Sequence, residues 1–92
     1  MTTSDITTQS SKVIKPFEIE MANTIRRYRL ESQGNSGFIG NLGLLIKKMY
    51  EDGVLSDTGK EAYNNSGDKK SSSYESLAVN FSELILKENR KA

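Results

Sequence analysis

Apolar residues recur every three or four positions in three separate segments, and this periodicity restricts the fold more than any other feature of the 92-residue chain. At about 100° per residue, the recurring residues of the first segment share one side of a helix, within an arc of about 80°. They are Ile14, Phe17, Met21, Ile25 and Tyr28. Pro16 suits the first helical position, where its missing N–H costs nothing. The pattern predicts a first helix over about residues 15–31.

Glycine stands at every third position from Gly34 to Gly43, where the second apolar segment begins. A phosphate-binding glycine loop would end in Gly-Lys-Ser/Thr or follow a buried strand as G-x-G-x-x-G, and the chain shows neither arrangement here. Each glycine inside a helix costs about 0.8–1 kcal/mol relative to alanine. We therefore expect a flexible hinge over 32–36 and a helix over about 38–52, firm only from about Asn41. A longer helix would need another helix close to Gly40 and Gly43.

The apolar face of this second helix follows the same spacing as the first. It consists of Phe38, Leu42, Leu45, Ile46 and Met49. Gly53 fits the left-handed position just past a helix end. Ser56 could then cap a short helical turn through Tyr63. Residues 64–73 are rich in turn formers and are predicted to be a mobile loop.

The third segment predicts a helix over about 73–89, opened by a capping box from Ser72 to Glu75. Its stripe is Tyr74, Leu77, Ala78, Phe81, Leu84 and Ile85. Residues 1–12 hold almost no apolar anchors and are expected to be a disordered tail. The chain is therefore predicted to be all-α, with a small bundle of three main helices in one domain over 13–92.

The chain contains no cysteine and no histidine. This composition excludes disulfides, cysteine-ligated zinc, thiol catalysis, and the commonest general base and metal ligand. The neighbouring carboxylates Glu18 and Glu20 are expected on an exposed helix face as solvated charges. We predict no enzymatic activity, metal, cofactor or small-molecule substrate. No apolar run approaches the ~20 residues that span a bilayer, so we expect no membrane association and a cytoplasmic location.

Each predicted helix also carries apolar side chains outside its main stripe. Domains of fewer than ~70–80 ordered residues commonly rely on disulfides, metals or oligomerisation, and composition leaves only the last. We predict that another protein, or a second copy in a homodimer, covers these side chains, and that the chain is a non-enzymatic adaptor, inhibitor or regulatory factor. The predicted partner-binding residues are Ile19, Leu30, Leu44, Val79 and Leu86.

The alternative is a small dimeric DNA-binding transcriptional regulator. Basic side chains cluster in the first two predicted helices, and a helix–turn–helix shares the outline of a helical hairpin. They are Arg26, Arg27, Arg29, Lys47 and Lys48. On a helix the three arginines spread over about 160°. The net charge of +1 is also far from that of a dedicated nucleic-acid-binding domain.

Overall fold

In the computed structural model, which describes residues 13–31 and 36–91, the chain forms a small all-α bundle. Its elements are α1 (Pro16–Glu31), α2 (Ser36–Glu51), α3 (Asp57–Asn64), a 3₁₀ helix (Ser71–Ser73) and α4 (Tyr74–Lys91). None of the residues in these two ranges belongs to a β-strand. The predicted fold class and its three main helices are confirmed. The predicted disordered tail, and most of the predicted hinge, lie outside the described residues.

Helix α4 is central, because α1, α2 and α3 all pack against it. Contact with three helices requires a buried arc of about 180°, wider than the single stripe predicted for it. The predicted stripe residues at the centre of this arc are fully buried: Leu77, Ala78, Phe81 and Ile85. The arc also takes in Leu86, which is 7 % exposed. Leu86 was predicted to face outward, and its place in the core corrects that prediction.

Helix α1 is rotated by about 60° from its predicted orientation. Its fully buried positions are Glu18, Ala22 and Ile25. Phe17, which was predicted to be in the core, is 38 % exposed. The rotation has two visible causes: the small side chain of Ala22 packs inside the bundle, and Glu18 finds hydrogen-bond donors there. The prediction that Glu18 is a solvated charge was therefore wrong, whereas Glu20 is exposed as expected.

The carboxylate of Glu18 joins the N-terminal ends of α1 and α3. It accepts hydrogen bonds from the Lys15 N–H (2.7 Å), the Ser56 N–H (2.9 Å) and the Ser56 hydroxyl (2.8 Å). Ser56 in turn caps α3, accepting a 2.9 Å bond from the Gly59 N–H. A Cβ added at Gly59 would overlap the Glu18 carboxylate and would lie 3.2 Å from the Leu55 Cβ. The glycine therefore makes room for the buried carboxylate.

Helix α2 begins at Ser36, five residues before the position from which we expected it to be firm. The condition for a longer helix is met at Gly43: an added Cβ would lie 2.9 Å from the Tyr74 carbonyl carbon and closer still to its oxygen. At Gly40 an added Cβ would meet no atom within 4 Å. Burial of Ile39 and Ile46 on α2 offsets the cost of its glycines. Beyond the helix end, Gly53 has φ +75°, as predicted.

The segment between α3 and α4 makes one hydrogen bond to α4 and another within itself. Asn80 donates a 3.0 Å bond to the Ser66 carbonyl, and the Asp68 carboxylate accepts a 3.0 Å bond from the Lys70 N–H. The predicted short helix capped by Ser56 is confirmed. The capping box predicted at Ser72 was wrong, because Ser72 lies inside the 3₁₀ helix and α4 follows it directly. The mobility of this loop stays a prediction.

Candidate functional site

An apolar groove runs between α1 and α2, and we call it the α1–α2 groove. Both helices pack mainly against α4 and touch each other much less. The side chains that line it are therefore only partly covered by their own bundle. They are Phe17, Met21 and Tyr28 of α1, and Phe38, Leu42, Leu45 and Met49 of α2.

The groove follows from the spacing of these residues. On α2 they fall at intervals of four, three and four, one position before the inward-facing Ile39, Gly43, Ile46 and Tyr50. Since successive residues differ by about 100° around a helix, α2 carries a second seam beside the one that packs on α4. On α1, Phe17, Met21, Thr24 and Tyr28 repeat the same spacing. This is the spacing of the seam between two packed helices in a coiled coil.

The two seams meet at one end of the groove. The rings of Tyr28 and Phe38 lie 4.8 Å apart, tilted by 58°. The two helices do not seal the groove, because Phe38 at this end is 44 % exposed and Leu45, farther along α2, is 43 % exposed. Met21 and Met49 are partly buried and pack against the core. The lining residues extend over about three helical turns of each helix, with Thr24 interrupting the apolar seam of α1.

The predicted partner-binding residues do not form this surface. Leu30 is 75 % exposed and lies on the opposite flank of α1, while Ile19 and Leu44 are half-buried. Val79 is half-buried against the core, which Leu86 has joined. The apolar spacing instead predicts Phe17, Phe38 and Leu45 in the core, whereas all three are exposed. One signal could have corrected this: the apolar arc of α2, from Phe38 to Tyr50, is about 140° wide, broader than a single packing partner requires.

The five basic residues of the DNA-binding alternative are dispersed. Arg26 forms a paired contact with Glu83 of α4, with nitrogen–oxygen distances of 2.5 and 3.1 Å. The Arg26 hydrogen bond lowers the pKa of Glu83, and the same bond raises the pKa of Arg26. Arg27 and Arg29 are exposed. They leave the helix in different directions, so α1 does not present three arginines to one nucleic-acid groove.

Lys47 and Lys48 also point apart. The Lys47 ammonium lies 3.6 Å from the Glu51 carboxylate, and its pKa is raised, first by the neighbouring Tyr74 and then by Glu51. Lys48 is exposed and lies on the flank of α2 beside the α1–α2 groove. Of the two, only Lys48 belongs to the edge of the apolar surface.

A tyrosine cluster on the other flank of α2 joins α2 to α3. Tyr50 and Tyr63 stack with ring centroids 4.3 Å apart, and the Lys69 ammonium lies 4.9 Å from the centre of the Tyr63 ring. Burial raises the pKa of Tyr63. Because Tyr63 is buried and its stacking partner is half-buried, we interpret the cluster as a packing contact between the two helices.

The described part of the chain gives little support for a ligand pocket, a metal site or a membrane-spanning helix. A cavity of about 110 Å³ lies between α3 and α4 beside Glu61 and Glu88, well below the ~300 Å³ of a typical ligand pocket. Across 13–31 and 36–91, no three His, Cys, Asp or Glu side chains gather in a way that could hold a metal ion. None of the four described helices has the length and apolar character needed to cross a bilayer.

Comparison with protein-family models, curated proteins and solved structures gives no match for this chain.

Proposed function

We propose that the chain is a non-enzymatic, cytoplasmic binding protein that holds an amphipathic helix of another protein in the α1–α2 groove. The observation that carries the proposal is the pair of half-exposed apolar seams, one on α1 and one on α2, that meet where Tyr28 contacts Phe38. A helix with apolar residues at intervals of three and four would complete the packing that α4 provides on the other side. Such helix-in-groove contacts are a recurring mode of recognition. An adaptor, an inhibitor or a regulatory factor would use the groove in the same way.

The composition of the groove suits a reversible interaction with a client helix. Met21 and Met49 have flexible side chains that adapt to different neighbours. Aromatic rings such as Phe17 and Phe38 supply large contact areas. Completing the burial of three side chains that are about 40 % exposed gives roughly 2–4 kcal/mol, at 1.5–3 kcal/mol per full burial. This contribution is modest against the ~8 kcal/mol of micromolar affinity, so we expect weak binding that can be readily reversed.

The proposal is tested by selection from a displayed library of amphipathic helical peptides. Selected peptides are labelled, and their affinity is measured by fluorescence anisotropy for the wild-type chain and two variants. Leu45→Glu places a charge in the groove, whereas Leu30→Glu makes the same change on the opposite flank of α1. We expect Leu45→Glu to weaken binding at least 10-fold and Leu30→Glu to leave it within 2-fold. Circular dichroism checks that both variants are helical.

Two results would overturn the proposal: a selection that yields no binding peptide, or peptides whose affinity falls equally in the two variants. The DNA-binding alternative has its own test, binding to random duplex DNA at two salt concentrations. Because phosphate contacts release counterions, a regulator would bind at low salt and lose affinity steeply as salt rises. Binding of that kind, lost when Arg27 and Arg29 are replaced by alanine, would favour the alternative.

A further inference from the structure

We infer that a second copy of this chain occupies the α1–α2 groove when no client is bound. The inference rests on the proposed function, since it assigns an occupant to the same groove. In the resulting homodimer, α1 and α2 of one protomer pack face to face on α1 and α2 of the other. The interface would consist of four helices, two from each protomer, with the α4 of each protomer on the outer side. Dimerisation and client binding would then exclude each other.

The chain carries the kind of helix that its own groove accepts. The groove needs apolar residues at intervals of four, three and four over about three turns. Phe38–Met49 has that spacing with four apolar side chains, and Phe17–Tyr28 has the same spacing and length with Thr24 at its third position. A twofold axis through the groove would therefore match each seam with one of equal length. Self-complementarity of this kind is the requirement for a symmetric dimer interface.

The faces of α1 and α2 offer enough area for a weak dimer. Helices α1 and α2 have 16 residues each, which corresponds to a length of about 24 Å at 1.5 Å per residue. Two such helices side by side, about 10 Å apart, present a face of roughly 500 Å² per protomer. The total of about 1,000 Å² lies at the lower limit for specific interfaces. The structure therefore supports a dimer that dissociates on dilution.

The charged residues at the edges of the groove do not oppose a second copy. Lys48 of α2 and Asp52, one residue past the end of α2, flank the groove on one side, and Glu20 and Arg27 lie beyond the apolar seam of α1. Both signs are present at both edges, and the net charge of the whole chain is only +1. A second copy therefore meets no single-sign field that would repel it. A strongly charged partner gains no long-range attraction from these edges.

Analytical ultracentrifugation over a wide concentration range tests the inference. We expect the wild-type mass to rise with concentration from the 10.3 kDa of the monomer toward twice that value. Leu45→Glu and Phe17→Glu, one variant on each groove helix, are expected to raise the dimer dissociation constant at least 10-fold. Leu30→Glu serves as the matched control and is expected to change it less than 2-fold. Phe17 and Leu45 are both about 40 % exposed, so one of the two variants serves if the other fails to fold.

The outcomes separate this inference from the proposed function. A wild-type chain that stays monomeric at high concentration, while still binding helical peptides through Leu45, overturns the dimer and leaves the function standing. A Leu45-dependent dimer for which no helical peptide competes overturns the function and leaves the dimer standing. A dimer weakened equally by Leu30→Glu and Leu45→Glu uses another surface and overturns the inference.

Discussion

Replacing Glu18 by alanine should destabilise the bundle more than any substitution of an exposed carboxylate. Glu18 is fully buried and holds two helix ends together, accepting hydrogen bonds from Lys15, the residue before α1, and from Ser56 at the start of α3. Removing the carboxylate leaves two backbone N–H groups without their acceptor. It also leaves the Ser56 hydroxyl without the group to which it donates.

The magnitude follows from those groups. A buried donor that loses its acceptor costs about 1–3 kcal/mol, and two backbone donors are affected. Lys15 lies at a part-buried position, where water can replace some of the lost bond. We therefore expect Glu18→Ala to lower the free energy of unfolding by about 3–4 kcal/mol. Glu18→Gln keeps the shape of the side chain but points an NH₂ group at one of the donors. We expect it to lower the free energy of unfolding by about 2 kcal/mol.

The measurement is urea unfolding followed by circular dichroism at 222 nm. With a slope of about 1.5 kcal/mol per molar urea, typical of small domains, Glu18→Ala should move the midpoint down by about 2 M. Glu20→Ala is the matched control, since Glu20 is exposed and two residues away; its effect should stay within about 0.5 kcal/mol. If Glu18→Ala costs less than 1 kcal/mol, the buried hydrogen bonds do not hold the helix ends as described.

Two further predictions concern the helix interfaces. Gly43→Ala should destabilise the chain by about 1–3 kcal/mol, because the new Cβ collides with the Tyr74 backbone. Gly40→Ala should stabilise it by about 0.5–1 kcal/mol, since the new Cβ meets open space. Thermal unfolding of both variants measures the two effects, and equal effects would contradict the close approach of Gly43 to Tyr74. The Arg26 hydrogen bond lowers the folded-state pKa of Glu83, so this ion pair stabilises the fold above the ordinary glutamate pKa of about 4.3. The contribution is lost as the pH falls through the lower folded-state pKa. Glu83→Gln should therefore flatten the acid side of a profile of unfolding free energy against pH, and an unchanged profile would show that the pair adds nothing.

The sequence identified the three main helices, because each carries a strong periodic signal, but it placed the firm start of α2 five residues late and opened α4 with a capping box that does not form. Ser56 and Gly53 marked ends that the structure confirms. The rotation of the helices was harder to predict. A periodic stripe fixes which residues share a side of a helix, but when the apolar arc is broad it does not say which half faces the core. That choice put Phe17 inside and Leu86 outside, and the structure reverses both.

The buried Glu18 shows a second limit of prediction from sequence. A carboxylate is normally placed in solvent because burying it without partners is costly. Its partners come from the neighbouring Lys15 backbone and from Ser56, 38 positions away. Glu18 stands three residues after Lys15, the spacing of a capping box, so one of the three hydrogen bonds could have been anticipated. The contact with Ser56 depends on the tertiary packing of α3, which local spacing does not encode.

The exposed groove is compatible with a chain that folds by itself. Helix α4 is enclosed on three sides, and its buried residues form one continuous core with Ile25 and Ile46. The most exposed groove residues, Phe17, Phe38 and Leu45, are not among the buried core residues. We therefore expect their covering to add stability without being required for the fold. If a second copy binds only the folded chain, the apparent stability rises with protein concentration. The Leu45→Glu variant would keep the monomer stability and lose that rise, which separates a surface that completes the fold from one that recruits a partner.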